Sequence, residues 1–391
     1  MAFSTLRTAV GLLTIFAPAP ARTQKSPTAP SQSSTSWPQK TIRFSDEKLI
    51  SGLPSYSGIR PAHCSADGTV FLDLFADIRG ARGRVTEELF SISVDGETKH
   101  LQRARPTDGS GSSAIDFFAT ERSVVTLLDT SRFKDPHNPK SGRDPSYALA
   151  VSDHSGDNAE LLPLHLHFTP MKVALLGSGD FLMLGWDEIA LVPKLALLKD
   201  DGSFFRFIDL DSQPAPSPVY DSRNEALAAP ATLAALRVLQ SSSFVPYGNQ
   251  VLLFQRGTSA PVRVLSVFGE DRRVSLLLPA GFLLSDILVS GATGPWVVRA
   301  QSAEDFVTFE QKHYLENPHQ RIFEVDPIHG TPLREFVFEK PQPASIVCAE
   351  SGKFTAVFED RISDTAPPTG SVNDGLDPNA DPQLVIATAP R

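Results

Sequence analysis

One phrase recurs along this chain and limits what it can become. Near the start it reads "PAHCSADGTVFLDLF", Pro61 to Phe75, and near the end "SIVCAESGKFTAVFE", Ser345 to Glu359. Weaker forms occupy 114–130, 172–188, 241–257 and 286–301. Each is a short apolar run, a polar turn that usually carries Gly, and a second apolar run. That is the pattern of a β-hairpin. The turns centre on Gly68, Arg122, Gly179, Gly248, Gly294 and Gly352.

A second hairpin follows each of the first five. Its members are "LFSISVDGETKHLQ", "YALAVSDHSGDNAELLPLHL", "LALLKDDGSFFRFIDL", "VRVLSVFGEDRRVSLLL" and "RIFEVDPIHGTPLREFVF". Asp-Gly and related clusters mark the turns. The unit is therefore four strands, repeated at a spacing of roughly 50 to 60 residues. Four antiparallel strands per repeat, set radially, predict an all-β six-bladed β-propeller, with seven blades as the alternative count. The sixth unit has one hairpin and a single further strand, "PQLVIATA". The segment "QKTIRFS", Gln39 to Ser45, laid beside "LVIATA", supplies its missing outer strand. Closing the ring this way removes an exposed sheet edge.

Composition agrees. Apolar residues make up 41% of the 391, enough for a large core, and Pro (32) outnumbers Gly (25), as in a loop-rich β protein. A formal charge of −9 excludes nucleic acid and anionic membrane surfaces as main partners. The opening "MAFSTLRTAVGLLTIFAPAPA", 1–21, reads as an export signal: Arg7, then a short apolar run, then a small-x-small site. Residues 22–39 read as a disordered Pro/Ser-rich spacer, and 40–391 as the propeller. A Pro-rich loop and short helix at 212–240 interrupt the repeat between the third and fourth blades. Export implies a periplasmic or extracellular protein, with no membrane insertion once the signal is removed.

The only cysteines, Cys64 and Cys348, occupy the same mostly apolar slot, four residues before the turn centre. Two buried thiols are the favoured expectation, because equivalent side chains on adjacent blades are related by a rotation and point the same way round the ring. A disulfide is the competing reading, which an oxidising compartment invites.

The phrases "IRPAHCSADGTVFLDLFAD" and "QPASIVCAESGKFTAVFED" resemble the repeat of the NHL-type and SMP-30/gluconolactonase-like propellers. There a proline-led inner strand precedes a D/S-x-G turn and an apolar strand ending in Asp. The similarity covers most of the chain as rhythm and two repeats closely. It implies a propeller. The lactonase-like members hold a divalent cation with carboxylates and amides in the central channel, and none of those ligands can be matched to a residue here.

Candidate chemistry comes from the repeat itself. The second strand of each unit ends at Asp77, Asp129, Asp187, Arg256, Arg299 and Asp360. Equivalent strand ends lie on one rim, so these charges should ring one face. They could bind a charged or polyhydroxyl ligand, or hold Ca²⁺ or another divalent cation, for which oxygen ligands are suited. The competing reading gives each Asp a local turn hydrogen bond. His63 is a channel candidate on an inner strand, but adjacent strand residues point to opposite faces, so it cannot pair with Cys64. His165 and His167 in "LHLHF" share a strand face with no third ligand in view. No G-x-S-x-G, Walker, H-E-x-x-H or C-x-x-C motif is present. The expectation is a non-catalytic module that binds a protein or a glycan through one face, with no cofactor favoured. The alternative is a metal-dependent, lactonase-like hydrolase.

Overall fold

The computed structural model describes residues 36–391, apart from 52, 54–57, 66–67, 78–84, 102–111, 121, 135–142, 154–158, 211–228, 267–270, 289–293, 306–319, 340–345, 351 and 361–382. The signal-like start and nearly all of the spacer lie outside the described residues.

Six antiparallel four-stranded blades follow one another along the chain, the first five with their strands in sequence order. Blade 1 is Gly58–Cys64, Val70–Asp77, Val85–Ile92 and Thr98–Leu101. Blade 2 is Ser113–Ala119, Ser123–Asp129, Tyr147–Asp153 and Glu160–Leu164. Blade 3 is Thr169–Leu175, Phe181–Asp187, Val192–Leu198 and Phe204–Ile208. Blade 4 is Ser242–Tyr247, Gln250–Gln255, Val262–Leu265 and Asp271–Val274. Blade 5 is Phe282–Leu288, Trp296–Ser302, Gln320–Val325 and Pro332–Phe338. Blade 6 is Ile346–Glu350, Lys353–Asp360 and Gln383–Pro390, completed by Ser45–Leu49 from the start of the chain. First strands of blades 1 and 2, 2 and 3, 3 and 4, and 5 and 6 lie against each other, the sixth returns to the first, and blade 4 meets blade 5 where Gly257 N–H donates to Leu284 O. The protein is a six-bladed β-propeller.

Local chemistry makes each blade. Strands alternate or run apolar, as sheets buried between neighbours must. One turn recurs. Ser65 N–H donates to Thr69 O and Gly68 N–H to Ser65 O, and the same pair of bonds joins Leu176, Asp180 and Gly179. Gly68 and Gly179 take φ of 86° and 97°, the left-handed region that a side chain disfavours.

The ring closes, but not with the segment the sequence suggested. Gln39–Ile42 pairs in parallel with the outer strand of blade 5, Thr41 opposite Val337. Ser45–Leu49 is the strand that joins blade 6, Ser45 opposite Thr388 and Leu49 opposite Val385. An apolar "TIRF" looks more like a closing strand than the charged "SDEKL". An outermost strand, however, needs backbone pairing more than apolar side chains, and charge on an edge discourages further pairing.

The N-terminal strap is held at both ends. Arg321 donates from Nε and Nη2 to Glu335 at 2.6 and 2.7 Å, and Gln39 donates to the same carboxylate at 3.2 Å. The Arg321 guanidinium also lies over the Trp37 ring at 5.9 Å. Ile42, 1% exposed, fills the seam between blades 5 and 6 among Phe336, Phe354, Ala349 and Ala389. Ile42→Ala is expected to cost about 3 kcal/mol, because it leaves a cavity in a fixed seam. Urea denaturation of the variant checks this, and a cost under about 1 kcal/mol would place the strap outside the cooperative core.

Cys64 and Cys348 form a disulfide, with Cα atoms 6.0 Å apart. This corrects the expectation of two free thiols. The two residues belong to the first strands of blades 1 and 6. Near the axis adjacent blades converge, and that convergence outweighs the rotational argument. The separation lies within the range a disulfide spans.

The helix foreseen between blades 3 and 4 is Pro230–Ser241. Pro230 occupies its first turn, where a missing N–H costs nothing, and Ser242 Oγ donates to Val238 O at 2.6 Å near its end. Ala235 and Leu239 face the core of blade 3. No helix among the described residues is long and apolar enough to cross a membrane.

Candidate functional site

Connection lengths distinguish the two faces of the disc. The turns within first hairpins, such as 176–180 and 248–249, lie on one face and are short. The strands that end at Asp129, Ile208, Ser302 and Asp360 end at the other face, and each is followed by a longer stretch of sequence before the next blade strand. Long connections on a rigid scaffold are where recognition is usually built, so the site is sought beneath the second face.

Two aspartates of the proposed rim bond locally. Asp129 Oδ1 accepts the Ser131 N–H at 2.8 Å, and Asp187 Oδ1 accepts the N–H groups of Ile189 and Ala190 at 3.0 and 2.9 Å. Both are local turns, as the competing reading held. Arg299 is not at a strand end. It sits within Trp296–Ser302, opposite Asp286, and its Nη2 donates to Asp286 Oδ2 at 2.7 Å. Arg256 directly follows its strand. Asp77 and Asp360 end theirs, but their side chains, like that of His63, lie outside the described residues. His165 and His167 lie exposed beyond the outer strand of blade 2. Among the described residues no three His, Cys, Asp or Glu side chains come together as a metal cage would require.

What the structure does bring together is a set of charges on or directly after the first and second strands of the blades. An innermost strand pairs on one side only, so half of its N–H and C=O groups face the axis. In blades 1, 2, 3 and 5 the ladder of this strand slips, between Arg60 and His63, Ala114 and Asp116, Pro170 and Lys172, and Leu284 and Asp286. Such irregularities re-aim side chains. Asp116 Oδ2 crosses from blade 2 to accept the Val173 N–H of blade 3 at 2.9 Å. Asp286 Oδ1 accepts the N–H of Ile287 at 2.9 Å while Oδ2 binds Arg299. Lys172 follows the slip in blade 3. Arg256 stands at the next blade, its own N–H bonded to Ser241 O and the adjoining Gly257 N–H bonded to Leu284 O of blade 5. Asp116, Lys172, Arg256, Asp286 and Arg299 thus form an arc across blades 2 to 5.

These positions were missed in the sequence except for the two arginines. A signal was present: Asp116 in "AIDFF", Lys172 in "PMKVAL" and Asp286 in "LLSDIL" each place one charge inside an apolar inner strand. Nearer the rim, burial pushes the Tyr147 hydroxyl up, with the Asp129 and Glu188 carboxylates adding to the effect against a hydrogen bond with Thr169. Thr169 Oγ1 donates to Glu188 Oε1 at 3.1 Å.

Burial holds the Lys172 ammonium below its usual 10.5, with Asp116 opposing and Arg256 reinforcing the shift. The unfolded chain therefore keeps this proton to a higher pH than the folded one. Stability from this group is depressed while Lys172 is charged in the folded state. It recovers as pH rises from the lowered value to 10.5. Wild type should gain on Lys172→Met as pH rises toward 10.5. Denaturation curves of both proteins at each pH test this, and a constant gap contradicts it.

No protein-family model matches the chain, and no curated protein sequence matches it. Solved structures of low identity show some likeness. One is the β-propeller domain of the Trilobed protease from Pyrococcus furiosus, 7% identical over 78% of each chain with a TM-score of 0.38. Another is YCF48 bound to D1 peptide, 12% identical over 82% of each chain at 0.40. A third is a DUF4623 family protein from Bacteroides eggerthii, 8% identical over 88% of this chain and 75% of that one at 0.39. At these scores they add nothing to the architecture already given by the strand pairing.

Proposed function

We propose that this propeller is a non-catalytic binding module that works outside the cytoplasm and takes a protein partner on its loop-bearing face. The observation that carries the reading is the arc of Asp116, Lys172, Arg256, Asp286 and Arg299 beneath that face. Fixed, half-buried charges of both signs on rigid strands select a charged partner and set its orientation. No motif for nucleophilic or metal chemistry accompanies them in the sequence. The Cys64–Cys348 bond supports export, since disulfides persist in oxidising compartments.

Peptide-display panning on the immobilised, disulfide-bonded chain tests the reading. Enriched peptides should bind equally in calcium and in EDTA. Their affinity should fall with Glu188→Lys on the loop-bearing face and hold with Asp201→Lys, which sits in the 199–203 turn of the opposite face. Equal sensitivity at both faces, or no enrichment accompanied by calcium-dependent lactone hydrolysis, would overturn it.

A further inference from the structure

We propose that the open outer edge of blade 3 receives an extended, acid-bearing segment of a partner protein as a fifth strand. This surface lies on the circumference of the disc, apart from the loop-bearing face, and goes beyond the binding reading above.

Every other outer strand is guarded against further pairing. Blade 1 ends on "TKHL", blade 2 on "ELLPL", blade 4 on "DRRV" and blade 6 on "SDEKL". Charge and proline are the usual means of blunting an edge. The outer strand of blade 5 is covered by Gln39–Ile42. Blade 3 instead presents "FFRFI", Phe204–Ile208, paired on one side only among the described strands. Phe204, Phe205 and Phe207 are 45%, 55% and 47% exposed. Apolar rings left in water along a strand with unpaired backbone mark an interaction surface.

Blade 5 shows what such an edge accepts. Its third and outer strands pair Glu324 with Arg334 and Val325 with Pro332, leaving Leu333 as an extra residue. Blade 3 repeats this slip: Leu197 faces Arg206 and Leu198 faces Phe204, leaving Phe205 extra. The two outer strands therefore share a backbone plan, with Phe207 at the position of Glu335. On blade 5 the added strand pairs with Glu335–Phe338, beyond the slip. An opposite-charge pair, Arg43 with Glu339 at 2.6 Å, and the Phe44 ring stacked on Phe338 at 5.5 Å fix it. Blade 3 has the corresponding edge and the rings, with no strand of this chain upon it among the described residues.

The chemistry of the edge chooses the occupant. Lys194 Nζ lies 5.2 Å from the Phe207 ring and Lys199 Nζ 5.9 Å from the Phe205 ring. With Arg206 they set three cations around the exposed rings, and among the described residues none of the three is ion-paired. The neighbouring acids, Asp200, Asp201 and Asp209, stand beyond the ends of the strand. Asp201 is held below the usual carboxylate range first by hydrogen bonds from Ser203 and only afterwards by Lys199. The middle of the edge is thus apolar and positive, which suits apolar side chains around an acid. A second copy suits it less. Three half-exposed rings on each side come to about 600 Å² at roughly 200 Å² a ring, against the ~1,200 Å² of a stable protein pair. A sugar fits poorly as well, because Phe204 and Phe207 meet at 58° and form no flat platform.

Random peptides about nine residues long are panned on the full disulfide-bonded chain after depletion on its Phe207→Asp variant. Enriched peptides should carry an acid among apolar residues. They should bind Phe205→Asp and Phe207→Asp about tenfold or more weakly. Arg206→Glu should weaken them similarly and favour their Glu→Lys versions. N-methylation of alternate peptide bonds along one edge of the peptide should abolish binding, since an added strand pairs through its backbone. Glu188→Lys should leave binding unchanged, so that this edge and the loop-bearing face stand or fall separately. The three variants alter exposed side chains and should melt near wild type. Hydrogen exchange on wild type needs no variant: bound peptide should slow exchange across 204–210. No enrichment, indifference to N-methylation, or unslowed exchange there overturns the proposal. A wild-type dimer that Phe205→Asp splits would give the edge to a second copy, and displacement of the peptides by cellohexaose would give it to a sugar. Either result overturns the partner assignment.

Discussion

Cys64→Ala with Cys348→Ala is expected to destabilise the propeller by about 5 kcal/mol, more than any single truncation in its core. The two cysteines stand 284 residues apart in sequence. A cross-link over so long a loop removes much of the freedom of the denatured chain, and the loss grows with the logarithm of loop length. The folded ring should nevertheless form without it. Blade 6 is still completed by Ser45–Leu49, and the seam to blade 1 is still filled by Ile50, Val70, Leu72, Val357 and Ile386. The denaturant slope should rise as the midpoint falls, because the unlinked denatured chain exposes more surface. Urea curves with and without reductant give both quantities. Thiol titration of denatured, unreduced protein gives an independent check. It should find no free thiol, and finding two would remove the bond and the prediction.

Gly185→Val should cost about 3 kcal/mol or more and also disturb the candidate site. Gly185 lies in the second strand of blade 3, opposite Pro170, where the inner strand slips before Lys172. A Cβ at this position would overlap the Thr169 carbonyl oxygen and come within 2.7 Å of the Phe168 ring. Neither can retreat easily. The carbonyl is backbone, and Phe168 is 6% exposed and held in the core. Overpacking a close-packed interior typically costs about 1–3 kcal/mol, and a clash with main chain exceeds the usual range. The relief available is displacement of Thr169–Leu175, which carries Lys172 with it. Gly185→Val should therefore lose stability and peptide affinity together, whereas Ile42→Ala should lose stability alone. A Gly185→Val protein that melts within a degree of wild type would show that the strands are not in close contact here.

The legible part of this protein is the part built locally. "SADGT", "SVDGE" and "KDDGS" are turn signals whose partners lie a few residues away. Phe71, Val125 and Leu182 announce buried strands by the apolar runs around them. Repetition then supplied the architecture, because a four-stranded unit of this kind cannot bury both faces alone. The strap was legible as existing and misplaced by several residues. Nothing in "TIRFSDEKL" records that its first half pairs in parallel with Pro332–Phe338 and its second half antiparallel with Gln383–Pro390. The disulfide was weighed and ranked second, since its formation depends on how closely two blades converge. The site was half visible. Arg256 and Arg299 were named, but as members of a rim of which Asp129 and Asp187 hold local turns.

By itself the sequence determined the four-stranded repeat and where its hairpins turn, and put six blades ahead of seven, because those depend on a period of two and on glycine at tight turns. Tertiary structure alone decided which segment closes the ring, that Cys64 meets Cys348, and that Asp116, Lys172, Arg256 and Asp286 fall on successive blades around the axis. Those outcomes depend on a one-residue slip in pairing and on the distance between elements far apart in the chain. A slip of that kind changes where a side chain is aimed without changing the composition around it.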